Sequence, residues 1–60
     1  MTFKELSKLL LQNGWIHVDT RGSHYQYEHP VKRGKVTIPC HKGDLSIKTV
    51  NVILKAAGLK

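Results

Sequence analysis

Three consecutive short runs of alternating apolar and polar residues lie between two segments of helical period. Alternation puts every second side chain on one face of a pleated strand, so such runs joined by short turns predict an antiparallel meander. The runs cover residues 15–19, 23–29 and 35–38, separated by Thr20-Arg21-Gly22 and by a basic turn at 31–34 around Gly34. Pro30 closes the second run, because it has no amide to donate to a ladder. Alternation places Ile16, Val18, Tyr25, Tyr27, Val36 and Ile38 on one face. It places His24, Gln26, Glu28, Lys35 and Thr37 on the other.

The flanking segments carry start and stop signals. Thr2-Phe3-Lys4-Glu5 fits a capping box, Phe3, Leu6 and Leu10 follow at helical spacing with Leu9 beside them, and Asn13-Gly14 offers a left-handed stop. A first helix is expected over residues 2–12. Ser46 reads as the N-cap of a second, with Ile47, Val50, Ile53, Leu54 and Ala57 as its apolar stripe up to Gly58. The expected fold is α+β, α-β-β-β-α, with both helices on the apolar face of a three-stranded antiparallel sheet. One domain over residues 1–60 accounts for the whole sequence.

Composition narrows the function. Sixty residues allow a small core and no deep pocket for a large cofactor. The lone Cys40 forms no intramolecular disulfide, and no leader or membrane-spanning apolar run is present, so a cytoplasmic protein is expected. Ten Lys and Arg against four Asp and Glu give +6, a balance that favours a polyanionic partner. A membrane surface fits less well, since neither helix pairs a strongly basic face with a broad apolar one.

The uncovered sheet face is where chemistry is expected. The hairpins place His24 opposite His17 or Asp19 on one side and near Pro39 or His41 on the other, with a two-residue slip left open. His17, His24 and His41 would then gather at one end of the polar face, with Lys35 and Thr37 on the same face. Histidine suits proton transfer near neutral pH, and Lys or Arg suits a developing phosphorane. Cleavage of RNA through its own 2′-hydroxyl requires those two things and no metal. No Cys or His spacing marks a zinc site, no local motif marks Cys40 as a nucleophile, and His29-Pro30 reads as strand-end punctuation.

Several segments together resemble the HicA toxin family. They are Asn13-Gly14-Trp15 after a short helix, Arg21-Gly22-Ser23-His24, His29-Pro30 before a basic turn, Thr37-Ile38-Pro39-Cys40-His41, and a closing helix Thr49-Val50-Asn51-Val52-Ile53-Leu54-Lys55-Ala56-Ala57-Gly58-Leu59. The resemblance implies a double-stranded-RNA-binding-domain-like fold. It implies a ribosome-independent, metal-independent messenger-RNA endoribonuclease without cofactor, held inactive by a HicB antitoxin that covers its active site. It also implies that His24 is the catalytic residue. His41 is nominated as the second acid–base group, with Arg21, Ser23, Lys35 and Lys42 as phosphate contacts. Tyr25 stands where a second histidine or an aromatic residue often follows the signature histidine, and Ile47-Lys48 stands where relatives often have Pro-Gly. A non-catalytic module binding double-stranded RNA, or a subunit that only binds protein, are the competing expectations.

Overall fold

The computed structural model describes residues 1–60. Its elements are α1 (Phe3–Gln12), β1 (Ile16–Arg21), β2 (His24–Glu28), β3 (Lys35–Pro39) and α2 (Ile47–Ala56). The strands form one antiparallel sheet in the order β1-β2-β3. Both helices pack on one face of it, closing over Tyr27, Val36 and Ile38.

Local chemistry explains both helices. At the start of α1 the Thr2 side chain accepts from the Glu5 amide at 3.2 Å, and Glu5 Oε1 accepts from the Thr2 amide at 2.9 Å. Two of the four otherwise unpaired first-turn donors are thereby satisfied. Ser46 caps α2 by accepting from the Thr49 amide at 3.2 Å. Leu45, just ahead of that cap, is buried in the core cluster against which Val50 packs, so it staples the entry to the helix. Both helices end alike. Trp15 and Gly14 donate to Leu10 and Leu11, and Leu59 and Gly58 donate to Leu54 and Lys55. These are paired Schellman closures, with Gly14 (φ 90°) and Gly58 (φ 74°) in the left-handed region.

The loop after β2 holds both of those ends. His29 Nδ1 accepts from the Val31 and Lys32 amides, each at 3.0 Å, so its ring proton sits on Nε2 and is donated to the Asn13 carbonyl at 3.1 Å. Lys32 Nζ donates to the Ala57 carbonyl at 3.1 Å. A cation on the last carbonyls of a helix is favourable toward its dipole. His29 therefore does more than end a strand: it ties α1 to the loop from which Lys32 holds α2.

The core is small and continuous: Leu6, Leu10, Trp15, Tyr27, Val36, Ile38, Leu45, Ile53 and Ala57. Tyr27 reaches across it, its hydroxyl 2.5 Å from Ser7 Oγ on α1. Two apolar expectations fail. Ile47 is 80% exposed, because Leu45 and Val50 fill the space at the start of α2. Ile16 and Val18, expected on the inward face, are 54% and 48% exposed. A bulge between His17 and Asp19 puts an extra residue into β1, which exchanges the faces of the residues before it. Ile16 pairs with Glu28 on the open face, and His17 pairs with Tyr27 on the helix face.

Candidate active site

His24 is the first residue of β2, immediately after the Gly22-Ser23 turn. Gly22 lies at φ 59°, the position that a two-residue hairpin with glycine first requires. The turn is thus one residue shorter than Thr20-Arg21-Gly22, and β1 runs on through Arg21. As a result Arg21, not His17 or Asp19, pairs with His24. On the other side His24 pairs with Pro39. Directly paired residues share a face, so Arg21, His24 and Pro39 stand together on the face away from the helices, with Asp19, Gln26 and Thr37 behind them.

The expected gathering of three histidines does not occur. The bulge places His17 on the opposite face, where its ring stacks on Tyr25 with centroids 4.9 Å apart and its Nε2 lies 2.7 Å from Thr20 Oγ1. His29 is occupied by the loop. His41 does reach the His24 end: the Cys40 amide donates to the Ser23 carbonyl at 2.6 Å, which extends the β2–β3 ladder one step past the His24–Pro39 pair. His41 and Lys42 follow at once, both exposed. His41 Nδ1 lies 3.1 Å from the Lys42 carbonyl, an acceptor only, so Nδ1 donates and the lone pair is on Nε2. His24 is the one histidine of the four whose ring has no hydrogen bond within the protein.

Of the expected phosphate contacts, Arg21, Ser23 and Lys42 lie at this end. The Arg21 Nε donates to Asp19 Oδ2 at 3.2 Å, leaving the rest of its guanidinium fork outward. That bond, with the Thr20 amide at 2.9 Å, holds the Asp19 carboxyl below its ordinary range. Lys35 is on the same face but at the far end, paired across from Glu28 with its Nζ 3.7 Å from the carboxylate. Four residues of strand separate the two ends, about 13 Å at the usual rise.

Helix direction adds to the field here. Asn13 and Ala57, at the C-termini, are held by the loop beyond Glu28, and ten-residue helices are about as long as β2, about 15 Å. Both N-termini therefore point toward the His24 end, joined there by the Leu45 amide donating to the Met1 carbonyl at 2.9 Å. The positive ends of two dipoles face one end of the sheet. Sequence reasoning missed this convergence. The available signal was that two helices of equal length each stop at a glycine.

No three His, Cys, Asp or Glu side chains cluster as metal ligands, and no helix is long and apolar enough to cross a membrane.

A three-stranded meander with two helices on one face is the double-stranded-RNA-binding-domain-like architecture, which places the molecule among small α+β proteins of that class. The family described as HicA toxin of bacterial toxin–antitoxin systems matches residues 3–59, and the chain belongs to that family. No curated protein matches it.

Proposed function

We propose that this toxin is a metal-independent, ribosome-independent endoribonuclease that cleaves messenger RNA with His24 as its catalytic residue. The observation that carries this reading is the unengaged imidazole of His24, on the open face beside a guanidinium and a tight turn, in a member of this toxin family. The ribose 2′-oxygen attacks the adjacent phosphorus as its proton passes to a base. The bond from phosphorus to the 5′-oxygen breaks as that oxygen takes a proton from an acid. The products are a 2′,3′-cyclic phosphate and a 5′-hydroxyl. His24 serves in these proton transfers, and His41, with its lone pair at Nε2, is the complementary group. Arg21 and Lys42 steady the phosphorane, and the Ser23 turn approaches a phosphate oxygen. Lys35, at the other end, contacts a more distant phosphate. A HicB-like antitoxin with an acidic surface inhibits by covering this face.

His24→Ala is expected to lower cleavage of labelled RNA by about 10²–10⁴-fold, the usual worth of general acid–base catalysis, with an unchanged circular-dichroism spectrum. EDTA should not inhibit the wild type. Full cleavage by folded His24→Ala would sink the assignment. Salt-sensitive binding to duplex RNA without any scission would instead favour the non-catalytic module.

A further inference from the structure

A crease of about 300 Å³ runs between the β3 edge and α2, lined by Thr37, Pro39, Lys48, Thr49, Val52 and Ile53. We propose that it takes one nucleotide of single-stranded RNA next to the cleaved bond, and so sets the base preference of the enzyme. This rests on the ribonuclease reading and deepens it.

Position comes first. Pro39 pairs with His24 and Thr37 with Gln26, so the strand wall of the crease belongs to the catalytic face. Directly paired side chains have Cβ atoms about 5 Å apart, within one nucleotide of His24. The chemistry of the lining also suits a nucleotide. Val52, Ile53 and Pro39 give an apolar floor for a flat base, while the Thr37 hydroxyl can donate to or accept from its edge and the Thr49 hydroxyl, which accepts from Ser46 Oγ at 2.8 Å, keeps its proton to donate. The volume is at the lower end of the range for small-ligand pockets, enough for a single base and too little for a folded segment. Lys48 supplies a cation at the wall, and no acidic residue lines the crease. No acidic side chain occupies the first turn of α2 either, and Asp44, two residues ahead of its cap, lies 3.8 Å from the Met1 amino group. Exposure supports the same conclusion: Val52 is 62% exposed on a helix whose Val50, Ile53 and Leu54 turn to the core.

Two measurements test the proposal. In the first, 2′-O-methyl homotetranucleotides of A, C, G and U, which resist cleavage, are titrated into ¹⁵N-labelled protein. The amides of Thr37, Lys48, Thr49 and Val52 should shift, and one base should bind at least several-fold more tightly than the rest. Shifts confined to other regions, or no binding, would overturn the inference, and this readout needs no cleavage. In the second, ends generated from a randomised RNA pool are sequenced for wild type, Val52→Trp and Lys48→Glu. Each variant should lose base discrimination at one position beside the cut and lose about tenfold in kcat/KM on the preferred sequence. Variants that keep wild-type rate and preference but escape antitoxin inhibition would make the crease a protein contact and refute the nucleotide site. In that case the cleavage itself would still uphold the ribonuclease reading.

Discussion

The two helices are alike at their ends and unlike at their beginnings. Both run ten residues, close on a glycine in the left-handed region, and have a terminal carbonyl held by the loop after β2. At the start, α1 carries its own carboxylate in a reciprocal cap, whereas α2 has a serine cap, no acid and Lys48 in its first turn. The difference separates folding from function. The N-terminus of α1 is satisfied from within, as a structural helix requires. That of α2 stays electropositive at the His24 end of the sheet, an arrangement that gives up some helix stability and leaves a place for an anion.

Alanine at the two closing glycines would test the similarity most severely. At both positions the left-handed backbone costs about 1–2 kcal/mol. At Gly14 a Cβ would also lie 2.8 Å from His29 Nε2, on a ring fixed by three hydrogen bonds, whereas at Gly58 it would meet the tip of Lys32, a long side chain that can swing aside at the cost of its one bond to the Ala57 carbonyl. Displacing His29 adds about 1 kcal/mol for each bond broken. Gly14→Ala is therefore expected to lose about 4 kcal/mol in urea unfolding and Gly58→Ala about 2 kcal/mol. A domain of this size has only about 3–9 kcal/mol to lose. Equal losses would show that the His29 ring yields, and that the two ends are held equally firmly.

A smaller effect should separate the beginnings. Lys48→Glu places an acid in the first turn of α2, which is expected to raise stability by about 0.3–1 kcal/mol while RNA binding weakens. Stability and binding moving together would erase the distinction. The smallest effect concerns pH. Hydrogen bonds from the Thr2 amide, chiefly, and from its hydroxyl hold the Glu5 carboxyl below its ordinary range. Its contribution is present above the unfolded-state value of about 4.3 and disappears as pH falls through the lower folded value. Glu5→Gln should flatten that part of the acid limb of a Tm-versus-pH curve. Because α2 has no acid in its first turn, Ser46→Ala should shift the curve without changing its shape.

What could be read in the sequence follows the range of the forces involved. The caps at Thr2 and Ser46 and the stops at Gly14 and Gly58 are local and were legible, as were Tyr27, Val36 and Ile38 as inward residues. The faces of β1 were not. The bulge after His17 has no distinct local signal, whereas Gly22-Ser23 is a two-residue hairpin signal that a turn over Thr20-Arg21-Gly22 passes over; each changes which side chain stands opposite which. The loop clamp was hidden because His29 reaches back 16 residues and Lys32 forward 25. Alternation alone placed His24 on the open face, and only the resemblance across the whole chain distinguished it from an ordinary exposed polar residue. The crease depends on α2 lying along the β3 edge, which no periodicity encodes.

The clamp also changes how the charge of the molecule should be counted. Binding of a protein to RNA releases condensed counterions, and its salt dependence, a slope of about −0.7 per phosphate neutralised on single strands, reports only cations free to approach the backbone. Lys32 is tied to the Ala57 carbonyl, Lys35 faces Glu28, and Arg21 shares its guanidinium with Asp19. The formal +6 already counts Asp19 and Glu28, so these contacts change not the total but which cations are free to meet a phosphate, and Lys42 and Lys48 near the His24 end are among the free ones. A polyanion approaching this protein therefore meets Lys42, Lys48 and the uncompensated N-terminus of α2 at one end of the sheet, and at the other a lysine already committed to the Ala57 carbonyl.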